Sequence, residues 1–220
     1  MNEEWSLQFK TVQANLKKAT LDTAIQSLLA LRSELFCCAK SWQKTFAPSQ
    51  FSAQPFVNAK GYHSKTLAYS IWHVARIEDI VLQSLVQNQP QIFFAKNYQG
   101  RINAPFVTTG NELVKTQIAE FSRQLNIEEL FSYFEEVKLQ TDDFLRKLQF
   151  ENLRQTFTPA DKARLQSLSV VSTAPEASWL TDYWCGKSVK GLVLMPFSRH
   201  WIMHIEAGNR ICTKLEKMAE

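Results

Sequence analysis

Along most of this chain apolar residues recur every third or fourth position, the period of helices that bury one face. A short lead-in helix is expected near residues 5–18, followed by a long one from about Leu21 to Lys44. Ala24, Leu28, Leu31, Leu35 and Cys38 form the buried stripe of that long helix. It should stop near Ala47-Pro48, because the residue before a proline is pushed out of helical conformation. Ser64 is placed to cap a second long helix that ends before Asn88-Gln89-Pro90. On it Leu67, Ile71, Val74, Val81 and Leu85 make one apolar row. His73, Ile77, Ile80 and Ser84 make the row beside it, so His73 faces inward.

Residues 91–110 read as a turn-rich connection, and Asn111 is expected to cap a helix to about Leu125. A third long helix covers roughly Ile127 to Leu148, with Leu130, Phe134, Val137, Thr141, Phe144 and Leu148 in helical register. Thr158-Pro159 opens a shorter helix to Leu168, proline being well suited to the first helical position. The aromatic-dense segment from Trp179 to Lys187 precedes a last long helix, from near Val189 or Pro196 to Lys217. Four long amphipathic helices with irregular insertions predict an all-α four-helix bundle with additional short helices and long connections. The expected organisation is a single domain over residues 1–220. It comprises a helical extension at 1–20 and a bundle at 21–218 with insertions at 91–110 and 152–187.

Composition narrows the function classes. The 25 Lys and Arg against 21 Asp and Glu leave a formal charge of +4, scattered along the chain, so a nucleic-acid partner is not expected. No run approaches the roughly 18 apolar residues of a membrane span. The start, Met1-Asn2-Glu3-Glu4-Trp5, is acidic and lacks the layout of a signal peptide. Cys37, Cys38, Cys185 and Cys212 show no CxxC spacing, which reads as reduced thiols in a cytoplasmic protein.

Candidate chemistry rests on three of the 4 histidines. His200 and His204 are four apart on a helical stretch, where side chains stand about 5–6 Å apart at Cβ and can converge on one point. His73, inward-facing on another helix, supplies a third nitrogen. Three neutral imidazoles with an open position make the ligand set of a catalytic metal site. Ala207 and Gly208, just below the pair, are expected to leave room for a bound group. His63 would lie about 15 Å from His73 on a continuous helix, and reads as a surface or cap residue. Cys185 and Cys212 read as core thiols. Arg76, Glu78, Asp79, Arg199 and Glu206 are candidates to orient the imidazoles, since metal-bound histidines donate their second N–H to a carboxylate or carbonyl. Arg76, Arg199 or Lys187 would meet an anionic substrate group. Trp72, Trp184 and Trp201 are candidate pocket walls.

Other chemistries lack their motifs. There is no GxSxG elbow, phosphate loop or dinucleotide fingerprint. Trp201 stands where an HExxH metalloprotease has its glutamate, and the paired Glu-x-x-His motifs of di-iron bundles are missing.

The stretch Trp72-His73-Val74-Ala75-Arg76-Ile77-Glu78-Asp79 and the ending Phe197-Ser198-Arg199-His200-Trp201-Ile202-Met203-His204-Ile205-Glu206 resemble the DinB/YfiT-like superfamily of metalloenzymes. Tyr183-Trp184-Cys185-Gly186-Lys187 is similar to a subset of it, and the resemblance runs from about Leu21 onward. It implies a four-helix bundle, often a homodimer, holding a divalent metal through His73, His200 and His204. It also implies use of a low-molecular-weight thiol against a small electrophile, as in thiol-dependent S-transferases. Three imidazoles suit zinc or nickel, with iron or copper as alternatives. The expectation is a metal-dependent small-thiol transferase; a metal-dependent hydrolase and a non-enzymatic metal-binding stress protein are the rival readings.

Overall fold

Every regular element among the described residues is helical. The computed structural model describes residues 2–219, without the side chains of Tyr62, His63 and Ala219, so the expectation for His63 lies outside the described residues. Helix α1 (Glu3–Asn15) lies along α2 (Leu21–Thr45). Helix α3 (Leu67–Asp79) continues as a π-helical segment, Ile80–Val86. Short helices α4 (Ile92–Ala95), α5 (Tyr98–Ile102) and α6 (Gln117–Gln124) lead to the long α7 (Ile127–Lys147). Then come α8 (Pro159–Ser167), α9 (Trp179–Cys185) and α10 (Val189–Val193). A π-helical turn, Met195–Arg199, feeds α11 (His200–Ala219).

Helix starts follow local capping chemistry, with two departures from expectation. The Thr66 side chain, not that of Ser64, caps α3 by accepting the Tyr69 N–H at 3.0 Å; Ser64 ends a 3₁₀ turn, Gly61–Ser64. Asn111 caps nothing. Its Oδ1 accepts the Thr109 hydroxyl at 2.8 Å, and α6 begins later, at Gln117. Asn126 caps α7, and Thr158 with Asp161 forms a capping box ahead of Pro159. Residues 91–110 are also more ordered than a run of turns, since α4 and α5 lie within them.

Helix α3 packs against α7 and α11, and α2 packs against the same two. The α2 stripe runs through Ala24, Leu28, Leu31, Leu35, Ala39 and Trp42, leaving Cys38 half-buried at its edge. Helix α3 is buried on all sides, the condition of a helix enclosed by others.

The apolar interior is divided into two clusters. Along α2 the break falls between Leu28 and Leu31, along α7 between Val137 and Leu145, and along the approach to α11 between Phe197 and Trp201. Charged groups occupy the gap. Arg32, fully buried, donates to both carboxylate oxygens of Glu78 (2.7 and 3.0 Å), to Asp142 Oδ1 (2.7 Å) and to the Phe197 carbonyl (2.8 Å). The Trp201 indole N–H donates to Glu78 Oε2 at 2.6 Å, and Lys138 donates to the second oxygen of Asp142 at 2.5 Å. A buried charge is tolerated only when paired and fully hydrogen-bonded, and this network meets both conditions. It fixes α2, α3, α7 and the entry to α11 at one level.

Candidate metal centre

His73, on the enclosed helix α3, meets His200 and His204 at the start of α11. One ligand nitrogen from each lies within 4.8 Å of those of the other two, and all three residues are buried. The ring centroids stand 4.6 to 5.0 Å apart. The three histidines can therefore hold a metal ion.

The π-helical turn before α11 sets this geometry. Pro196 has no N–H to close an ordinary helical turn, so the chain widens there. The Ser198 hydroxyl donates to the Val193 carbonyl at 2.7 Å and Arg32 to that of Phe197, side-chain bonds that hold the widened turn. His200 is the first residue of regular helix after the turn, and His204 lies one turn on.

His73 is oriented by backbone. Its Nδ1–H donates to the Thr109 carbonyl at 2.7 Å, which leaves Nε2 as the lone-pair nitrogen. Its ring stacks on Tyr69 at 5.3 Å, and the Tyr69 hydroxyl donates to the Gly110 carbonyl. Arg76 donates to the Val107 carbonyl at 2.6 Å. Residues 107–110 are thus pinned along α3 by three of its side chains. Gly110 has φ +78°, and a Cβ there would stand 3.1 Å from the Tyr69 ring, so the segment fits closely only with glycine.

Electrostatics favour a metal over protons. Burial pushes His73 down to about 4, with the nearby Lys65 ammonium adding to the shift. Burial and the neighbouring imidazoles hold His200 and His204 well below the usual histidine range. All three are neutral at pH 7, the form that binds metal. His200 Nδ1 is buried without a hydrogen-bond partner, a cost that a cation coordinated at that nitrogen would relieve.

A cavity of about 210 Å³ borders His73 and His200. Ile77, Leu180, Trp184, Tyr183 and Trp179 line it, with Asn111, Met195 and Pro196. Trp179, 49% exposed, stands at the rim. Among the three tryptophans expected as walls, Trp184 lines this cavity and two do not. Trp72 is edge-on to Phe93, Phe106 and Phe121 in the core, and Trp201 stacks on Phe134 beneath Arg32. The sequence places Asn111 at a helix cap and puts none of Trp179, Tyr183 and Met195 on a pocket wall; the aromatic density of 179–184 is the signal it offers for the first two.

The flanking charges mostly have other partners. Glu78 binds Arg32 and Trp201. Asp79 accepts the N–H groups of Ile92 and Phe93 and the Tyr133 hydroxyl, so it anchors α4. Arg76 donates to Gln91, Val107 and Tyr133 and covers the Phe93 ring. Arg199 is exposed, Lys187 sits over the outer aromatic wall 4.2 Å from the Tyr183 ring centre, and Glu206 accepts the Asn2 backbone N–H. The orienting group found for His73 is the Thr109 carbonyl. Gly208 does not open space below the pair, because Trp42 fills it: a Cβ on Gly208 would stand 2.2 Å from the indole. Cys212 is buried, its thiol pushed up to about 12 chiefly by desolvation, and Cys185 is half-buried.

No helix among the described residues is long and apolar enough to cross a membrane. Comparison with protein-family models and with curated proteins returned no match.

Proposed function

We propose that this chain is a metal-dependent enzyme of the DinB/YfiT-like kind, in which His73, His200 and His204 hold one divalent cation, zinc or nickel before iron or copper. In this reading α2, α3, α7 and α11 form the four-helix bundle, the active unit is a cytoplasmic homodimer, and the reaction is transfer of a small thiol to an electrophile. The observation that carries the metal reading is the convergence of three buried, neutral imidazoles, two of them bordering a cavity. Three protein ligands leave a position for a reactant.

The chemistry an ion would supply there is acidification of a coordinated thiol, whose thiolate form is the nucleophile. The protein's own groups do the rest. Thr109 fixes the His73 tautomer, the π-helical turn aims His200, and the aromatic wall limits access of water to the reacting atoms. Among the described residues the cavity wall has no carboxylate, lysine or further histidine. Besides the two histidines the one side chain of the wall able to move a proton is the Tyr183 phenol, and the lack of a carboxylate base supports a thiol nucleophile over general-base hydrolysis.

Elemental analysis of wild type beside His200→Ala tests the centre. One equivalent of metal in the wild type and its loss in the variant are expected; no stoichiometric metal in either, even after reconstitution, overturns the reading. An ester panel assayed without thiol should be silent for a transferase and active for a hydrolase. Sedimentation of the purified protein checks the dimer.

A further inference from the structure

Among the described residues the wall of the cavity carries no charged side chain. Besides the two histidines it consists of Ile77 from α3, Leu180, Tyr183, Trp184 and Trp179 from α9, and the π-helical turn, with Asn111 as the one amide. The basic groups nearby are not part of this wall: Arg76 is bound in its own network, Lys65 lies over the Tyr69 ring beside the histidines, Lys187 lies over the Tyr183 ring from outside, and Arg199 is exposed. A carboxylate or ammonium on the body of a ligand would lose its hydration here with no opposite charge on the wall to replace it.

Size sets a second limit. An apolar cavity of roughly 150 Å³ holds a benzene molecule. At about 210 Å³ this one has room for a ring and a short chain. The rim carries an exposed Trp179 whose ring is edge-on to Tyr183 at 5.6 Å, with its indole N–H anchored on the Glu176 carbonyl at 2.9 Å. Asn111 Oδ1 is occupied by Thr109, which leaves the amide Nδ2 to donate.

We infer that the ligand of this site has an uncharged, apolar body about one aromatic ring in size, packed against α9, with a single donor atom at the histidines and room for one neutral acceptor at Asn111. The donor atom rests on the metal reading above; the seat for the body is a property of the wall alone.

Two azoles with the same donor and different bodies separate the cases. Protein loaded with cobalt(II) is titrated with 4-phenylimidazole and with imidazole-4-acetate, following the visible spectrum of the ion. Burying a phenyl ring predicts at least about tenfold tighter binding of the phenyl compound. Trp179→Ala and Tyr183→Ala should each cut that ratio by about threefold or more, with the affinity for plain imidazole unchanged. Equal or tighter binding of the acetate, or a ratio indifferent to both substitutions, overturns the inference. Equilibrium dialysis of 2-naphthol against metal-free protein is the companion measurement, with saturable binding weakened by Tyr183→Ala expected. Cobalt failing to bind while naphthol still does removes the metal reading and leaves this one standing. Cobalt binding with no preference between the azoles removes this one alone.

Discussion

Acid should unfold the metal-free protein earlier than a protein with ordinary histidines, and His73 sets a minimum for the effect. Its value falls from 6.5 to about 4 on folding because the charged form is desolvated. The unfolded chain therefore takes up a proton first as pH drops. Stability is level above pH 6.5, declines below it, and levels again only below about pH 4. Each pH unit of that gap is worth 1.36 kcal/mol, so the full effect approaches about 3.4 kcal/mol. Between pH 7.5 and pH 5.0 the share from His73 is about 2 kcal/mol. His200 and His204 shift in the same direction and add to it. Urea denaturation of chelator-treated protein at the two pH values reads this out. With a slope of about 2 kcal/mol/M, the midpoint should fall by about 1 M from His73 alone. Carboxylates titrate over the same range, so the comparison is with His73→Gln, whose midpoint should fall by about 1 M less. Identical falls in the two proteins would refute the argument that burial keeps this imidazole neutral.

Saturating metal should raise stability at pH 7.5 by about 2.7 kcal/mol at a hundred times its dissociation constant, with no rise in His200→Ala. Gly208→Ala drives a methyl into Trp42 and should cost about 1–3 kcal/mol in a melting experiment, partly relieved by adding Trp42→Phe. Gly110→Ala strains a positive φ and displaces the carbonyl segment beside His73. A loss of about 1–2 kcal/mol and about tenfold weaker metal binding by competitive titration are expected. Glu78→Gln leaves Arg32 buried with one carboxylate fewer and should cost about 3–5 kcal/mol in urea denaturation.

The long helices were legible because their apolar periods extend over many turns, and periodicity becomes more decisive with length. Where they begin was less so: Ser64 and Thr66 are both good caps, and only the surrounding chain decides between them. The converging histidines were legible from a four-residue spacing plus an inward-facing third residue. What surrounds them was not. Glu78 and Asp79 read as candidate orienters, whereas their partners, Arg32 and Trp201 for the one, Tyr133 and the N–H groups of α4 for the other, are distant in sequence. The Thr109 carbonyl carries no residue-type signal, because any residue offers one. Gly208 read as empty space, since a glycine does not announce which side chain from another helix will occupy its place. Trp179 and Tyr183 were hidden among aromatics that serve equally well as core.

The two halves of the histidine cluster come from far-apart parts of the chain, His73 from α3 and the pair from α11. An unfolded chain keeps only the pair, and only to the extent that a helical turn survives there. An ion bound by all three would therefore act as a staple between two helices that share no local sequence, much as a disulfide ties distant segments. Its departure would require those helices to separate or the cavity face to admit a competing ligand. Exchange of the ion would then report on the opening of α11 from α3, a motion that equilibrium stability alone does not register.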